Sequence, residues 1–337
     1  MTTKKTKIGI IGVTGYTGGE LLKLALSHPF VEVAYLGSSS QTGHISTVYP
    51  QYAKTNLKLE NIDIGTIAAK CDVLFLATPH GAAMELVPQI LKAKSGIKII
   101  DLGADYRIKD AAKYEKYYKL KHSDTGNLAK AAYGLPEVNR DAIKKASVIA
   151  NPGCYPTATA LGLAPVLNNI DISNIVIDGK SGVSGAGKKS EVEYSFCELD
   201  ENLKPYGIVG HRHIPEIEQT LSGLAGKDIK VTFTPHLIPM IRGMIVSTYV
   251  KLTKPLSQEE IDKIYSDYYD SELNVIYTKN ISTSTVLGTN LALVYAVVDG
   301  DRLKIFCAID NLVKGAAGQA IQNLNILAGY DEKEGLK

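Results

Sequence analysis

The sequence predicts an α/β chain in two parts: a parallel sheet flanked by helices, then an α+β part built on a mixed sheet. Three observations carry this. Apolar strand-like runs alternate with helical spacing over the first 150 residues. A glycine-spaced turn, GVTGYTGG, links the first strand-like run to the first helical one. After residue 154 the strand-like runs crowd together, and Asp299-Gly300 offers a hairpin turn between two of them. A chain of 337 residues is long enough for two domains, each with its own core.

In the first part, Lys7 to Ile11 reads as a buried strand, Gly19 to Ser27 as a helix and Val31 to Leu36 as a second strand. Asp72 to Ala77 follows as a strand, Ala82 to Lys94 as a helix, and Lys98 to Leu102 and Ser147 to Ala150 as further strands. Strands separated by helices imply crossovers and parallel pairing. In the second part, Tyr155 to Leu167, Ile214 to Leu221, Gln258 to Tyr268 and Ala316 to Ala328 have helical spacing. The expected strands there are Ile175 to Ile177, Ile229 to Thr234, Gly243 to Leu252, Asn274 to Tyr277, Leu291 to Val298 and Arg302 to Ile309.

Composition narrows the function. With 37 basic and 35 acidic side chains the formal net charge is +2, and the lysines are scattered singly or in pairs. That argues against nucleic acid or an anionic membrane as partner. The apolar run after Lys4, Lys5 and Lys7 is too short for a signal segment, and no stretch of 18 apolar residues exists. Cys71, Cys154, Cys197 and Cys307 lie far apart without a CxxC pair. The expectation is a reduced protein of the cytoplasm, with no disulfide framework and no metal.

The glycine turn carries the first functional signal. Gly12, Gly15 and Gly18 recur every three residues between a strand and a helix, with Thr14, Tyr16 and Thr17 between them. Such a turn brings backbone N–H groups and a helix N-terminus to a pyrophosphate, which favours a Rossmann-type, dinucleotide-binding first domain over a glycine-rich surface turn. An NAD site usually ends its second strand with a carboxylate. Here that strand ends LGSSSQTG, with Ser38 and Ser39 and no acid, and Glu32 lies at the wrong end. A hydroxyl-rich loop suits the 2′-phosphate of NADP; a serine loop with no ligand fits these residues equally well.

The second signal is NPGCYPTATA. Asn151-Pro152-Gly153 breaks a strand and a helix pattern starts beside Cys154, with Pro156 tolerated in the first turn. A helix N-terminus stabilises a thiolate and lowers a thiol from its usual pKa of ~8.5. Packing and nucleophilic readings of Cys154 stand level on these residues alone. Cys71 and Cys307 read as core, and Cys197 as structural. GHRHIPEIEQ supplies His211 and His213 for proton transfer. Zinc binding would need a further ligand, such as His236, and nothing else supports it. GKSGVSGAGKK, with Ser181, Ser184, Lys180, Lys188 and Lys189, reads as an anion-holding loop or as a plain surface loop.

Across nearly the whole chain, GVTGYTGGELL, DLGADYRI, YGLPEVNR, NPGCYPTA, GKSGVSGAGK, GHRHIPEIEQ, FTPHLIPMIRGM and DNLVKGAAGQAIQNLN resemble the N-acetyl-gamma-glutamyl-phosphate reductases of arginine biosynthesis. The resemblance implies reduction of an acyl phosphate to a semialdehyde with NADPH, through a thioester on Cys154, with His211 as acid/base. It implies a substrate pocket drawn from His213, Glu216, Tyr206, Ser181, Ser184, Arg107 and Arg242. Cofactor contacts are implied for the glycine turn, Ser38, Ser39 and Asn311. Many members place an arginine where Ser39 stands, which leaves the choice of NADP over NAD open. The implied domains are 1–150 with 314–337 for the cofactor and 151–313 for catalysis and dimerisation, in a homo-oligomer (dimer or tetramer). Two rivals fit the same residues: a reductase acting on aspartyl or carrier-bound aminoadipyl phosphate, and a dinucleotide-binding regulator without chemistry.

Overall fold

The computed structural model describes residues 5–188 and 191–337. They fall into two units: the residues up to Pro152 with Ala316–Leu336, and Gly153–Gly315 with Lys337.

The first unit runs β1 (Thr6–Ile11), α1 (Tyr16–Ser27), β2 (Val31–Gly37), β3 (Gly43–His44), β4 (Lys58–Glu60), α2 (Ile64–Lys70), β5 (Val73–Leu76), α3 (Ala82–Ala93), β6 (Lys98–Asp101), α4 (Ala111–Tyr118), α5 (Thr125–Lys130), β7 (Ala132–Tyr133), α6 (Pro136–Lys145) and β8 (Val148–Ala150). The strand order is β3-β4-β2-β1-β5-β6-β8-β7, and only the β3–β4 pairing is antiparallel. β5 and β8 are buried along their whole length. That explains their uninterrupted apolar sequences, since a parallel strand meets helices on both faces. The order reverses at β1, with β2 on one side and β5 on the other, so the loop leaving β1 sits where open α/β sheets bind ligands.

α1 begins at Tyr16, three residues before the expected Gly19, so Gly18 and Gly19 lie inside it. α2, α4 and α5, which sequence spacing left unmarked, start after Asp63, Asp110 and Asp124. Each of these carboxylates accepts N–H groups of the first turn.

The second unit contains α7 (Cys154–Leu163), β9 (Ile175–Ser181), α8 (Phe196–Leu199), β10 (Lys204–Pro205), α9 (Ile214–Ala225), β11 (Val231–Leu237), β12 (Met244–Lys251), α10 (Gln258–Tyr269), β13 (Val275–Tyr277), α11 (Thr283–Val286), β14 (Ala292–Asp299) and β15 (Arg302–Ile309). Its sheet, ordered β10-β11-β9-β12-β15-β14-β13, is mixed: β9–β11 and β13–β14 are parallel and the other pairings antiparallel. β9 alternates buried and accessible residues, the pattern of a sheet covered on one face. α7 is buried from Tyr155 to Leu163 and packs against α9, β12, β14 and β15. A π-helical turn, Val313–Ala317, leads into α12 (Gly318–Ala328), which belongs to the first unit.

β9 extends four residues beyond the expected Ile177 and absorbs Gly179, Lys180 and Ser181. Gly179 is a packing glycine, since a Cβ there would enter the Tyr155 ring. The expected anion loop is therefore shorter than its glycines suggested. Its Lys189 lies outside the described residues.

Candidate active site

In the first unit the β1–α1 turn is built by steric exclusion. Gly12 has φ +86°, where side chains are strained, and a Cβ on it would strike the Ala77 carbonyl. A Cβ on Gly18 would strike the Gly12 carbonyl. Gly15 caps α1 without a side-chain hydrogen bond, leaving the first-turn amides to a ligand. Thr14 and Thr17 flank the turn half-buried, and the Tyr16 ring is exposed.

A residue the sequence did not single out joins this turn. Thr78 follows β5, its backbone lies within 3.4 Å of where a Gly12 Cβ would be, and its Oγ1 is buried with no hydrogen-bond partner. A cradle too tight for side chains and an orphaned hydroxyl beside it both fit a dinucleotide. The signal available in sequence was the hydroxyl closing the buried run DVLFLAT.

Two candidates here are engaged with their own backbone surroundings. Ser38 is buried, and its Oγ accepts the N–H groups of Ser40 and Gln41, so it shapes the loop while Ser39 and Ser40 are exposed. Arg107 is buried, with Nε donating to the Asn151 carbonyl at 2.7 Å and Nη2 to the Leu102 carbonyl at 2.8 Å. Those bonds tie together the chain just past β6 and β8.

In the second unit Cys154 is the first residue of α7, with Gly153 as N-cap in extended geometry. No side chain caps α7 from Gly153 itself; the Gly153 N–H instead donates to Glu216 Oε1 at 2.8 Å. Glu216 stands in the first turn of α9 with no exposed surface. Through that bond it clamps the residue before the thiol. Glu216 sits one residue after Pro215, which opens α9, a position that faces a neighbouring helix end.

His211 is enclosed by aromatic rings, with centroids at 5.1 Å to His213, 5.2 Å to Phe233, 5.4 Å to Tyr206 and 6.1 Å to Tyr155. Tyr155 directly follows the thiol, so the rings bring imidazole and cysteine into one neighbourhood. Burial, aided by the Arg212 charge, lowers His211 to about 4. The expected pKa near 6.5 is thus not that of the site, and the ring is neutral at pH 7. Its Nδ1 accepts the His213 N–H at 3.1 Å, so the neutral ring carries its proton on Nε2. Burial also raises the Tyr206 and Tyr155 phenols well above their usual range, and the charge of Cys154 adds to both shifts. Cys71 is buried with its thiol pushed up to about 11, Cys307 is buried in β15, and Cys197 is exposed; none of the four cysteines forms a disulfide.

The serine loop is held firmly. Gly182, Val183 and Ser184 donate to the carbonyls of Gly243, Met240 and Ile241. Ser181 Oγ donates to the Gly182 carbonyl. Ser184 Oγ accepts from Asn311 Nδ2 at 2.9 Å, and Asn311 Oδ1 accepts the Gly243 N–H at 2.8 Å. Asn311, expected at the cofactor, therefore has both ends of its amide engaged inside the second unit. Arg242 Nη2 pairs with the fully buried Asp310 at 2.9 Å. Lys180 pairs with Asp178, which also meets His236 Nδ1 at 3.1 Å. Among the described residues no cluster could hold a metal ion, and no helix is long and apolar enough to cross a membrane.

Relatives give this pairing of units a class. Residues 7–146 match the family model described as "Semialdehyde dehydrogenase, NAD binding domain", and residues 154–311 match "Semialdehyde dehydrogenase, dimerisation domain". The fold agrees: aspartate semialdehyde dehydrogenase II of Vibrio cholerae, complexed with ASA, superposes with TM-score 0.73 at 17% identity, covering 97% of this chain and 99% of that one. Aspartate semialdehyde dehydrogenase with NADP from Candida albicans gives TM-score 0.71 at 16% identity, covering 96% and 99%. Within that class, N-acetyl-gamma-glutamyl-phosphate reductase of Moorella thermoacetica is 47% identical over 98% of both chains. The Campylobacter jejuni enzyme of the same name (serotype O:6) is 45% identical over 99% of this chain and 98% of that one. The chain belongs to the N-acetyl-gamma-glutamyl-phosphate reductase family.

Proposed function

We propose that the protein reduces N-acetyl-gamma-glutamyl phosphate to N-acetylglutamate 5-semialdehyde and phosphate in arginine biosynthesis, with NADPH as reductant and Cys154 as nucleophile. Near-half identity to named reductases along almost the full length of both chains carries the substrate assignment. The place of Cys154 at the first position of α7 supports its role.

The thiolate, favoured by the amide end of α7, forms a bond to the acyl carbon while the C–O bond to phosphate breaks. The product is a thioester; phosphate takes up a proton from solvent. NADPH, when bound, supplies the hydride that reduces this thioester. His211 presents its Nε2 proton to the acyl oxygen as negative charge gathers there. The carbon–sulfur bond then breaks, releasing the aldehyde and restoring the thiolate. A neutral donor suffices, because the sulfur leaves as an anion. Arg242, held by Asp310, and Ser181 and Ser184 bind the phosphate or carboxylate of the substrate, with Tyr206 and His213 beside them. Gly12, Thr14, Gly15, Tyr16, Thr17, Gly18, Ser38, Ser39 and Thr78 serve the cofactor. The enzyme works as a homo-oligomer in a reducing cytoplasm.

The test is the reverse reaction, with phosphate, NADP⁺ or NAD⁺, and either N-acetylglutamate semialdehyde or aspartate semialdehyde. Turnover with the acetylated aldehyde alone is expected. A preference for the aspartate compound would overturn the substrate, and a preference for NAD⁺ the cofactor.

A further inference from the structure

The second unit contains a contact that the mechanism above does not use. Gly315 lies inside the π-helical turn that precedes α12, 161 residues along the chain from the thiol. A Cβ built on Gly315 would lie 2.7 Å from the Cβ of Cys154 and 3.3 Å from its Cα, closer than carbon atoms approach without displacement. The φ of Gly315 is not in the left-handed region, so backbone freedom does not explain the glycine. The reason is space, and the space is taken by the cysteine.

The surroundings decide which side would yield. Gly315 N–H donates to the Asp310 carbonyl at 3.0 Å, closing the 310–315 turn. The Asp310 carboxylate, fully buried, accepts from the N–H groups of Gly288, Leu312 and Val313 and pairs with Arg242. That turn is pinned at four points. On the other flank, Glu216 grips the N–H of Gly153, immediately before the cysteine. The thiol therefore stands between a fixed turn touching its Cβ and a carboxylate clamp on its backbone. A methyl group added to the turn would push on residue 154.

We infer that Gly315 is a positioning residue for the nucleophile: its missing side chain sets how closely the 310–315 turn approaches Cys154, and so where the sulfur sits at the N-terminus of α7. This deepens the proposed function and rests on Cys154 as nucleophile. Displacing the sulfur by a fraction of an ångström costs rate, because attack requires alignment with the acyl carbon, and it weakens the hold of the helix amides on the thiolate.

The experiment compares Gly315→Ala with the parent enzyme. The expected result is a kcat lowered roughly tenfold to a hundredfold with KM for the acyl phosphate little changed, and an iodoacetamide alkylation profile of Cys154 shifted to higher pH. Gly223→Ala in α9, where a Cβ meets nothing within 4 Å, serves as the control substitution. A double-mutant cycle on melting temperature reads the contact without reference to activity. The loss caused by Gly315→Ala should shrink when residue 154 is also changed, in Cys154→Gly, because the colliding Cβ is gone. If Gly315→Ala does not fold, the double variant should. An unchanged alkylation profile together with unchanged kcat, or an equal loss of stability in both backgrounds, would overturn the inference. Full activity in Cys154→Ala would instead refute the nucleophile itself, a separate outcome.

Discussion

The two units make their candidate sites from opposite materials. In the first, the β1–α1 turn is backbone throughout: Gly12 and Gly18 are needed because main-chain carbonyls occupy the places their side chains would take. In the second, the candidate groups are side chains, and glycines make room for them: Gly179 for Tyr155, Gly207 for His211 and Gly315 for Cys154. A backbone site is written within one short segment. A side-chain site collects residues from distant segments, and each depends on anchors that react with nothing.

That contrast can be broken from either side. The largest effect is expected for Cys154→Ala, which should lower turnover on the order of 10⁴-fold or more while NADP⁺ titration stays as in the parent. Retained turnover would contradict the division of labour. Gly18→Ala should do the reverse: cofactor affinity falls about a hundredfold as the turn opens, measured by titration, while Cys154 alkylation is unaltered. Glu216→Ala should have an intermediate effect. A buried N–H left without its acceptor costs about 1–3 kcal/mol, and kcat should drop roughly tenfold or more; Glu216→Gln, which keeps an acceptor oxygen, should recover much of it. Equal kinetics for the two substitutions would mean the carboxylate does not act through Gly153.

The smallest effect is a pair of opposed pH slopes. His211 is lowered from 6.5 to about 4 by burial, so over that window the unfolded chain binds the proton that the folded one refuses, and stability falls as pH falls. Asp101, fully buried in the first unit with Oδ2 unpartnered and Asp105 beside it, is raised from 3.8 to about 7. There the folded state keeps a proton the unfolded chain has lost, so stability falls as pH rises from about 4 to about 7. Relative to the parent, Asp101→Asn should gain most above pH 7 and His211→Gln most below pH 5, read from unfolding at a series of pH values. Parallel pH curves for parent and variants would remove both assignments.

Legibility in the sequence follows the same contrast. β1, β2, β5, β6 and β8 were readable because apolar runs mark strands of a parallel sheet that are largely buried. β3, β7 and β10, two residues each, are too short to carry any period. The glycine turn was visible at once, since every collision behind it is local or one strand away. Cys154 alone was ambiguous, because its clamp at Glu216 and its neighbour at Gly315 are tertiary facts. The whole-chain resemblance supplied what periodicity lacked, but it gave no sign that Glu216 holds the Gly153 N–H or that Asn311 links Ser184 to Gly243.

α12 adds a consequence for how the protein is made. It belongs to the unit that begins the chain, and its buried amides reach far back: Asn323 to Gly134 and Asn151, Gln319 to Gly134, and Asn325 to His28. On the ribosome, residues 153–315 emerge entire before this helix exists. The unit synthesised first is thus the one finished last, and its early strands wait for the closing segment with part of their core uncovered. A stop codon just before α12 would spare residues 153–315 and still disable the first unit.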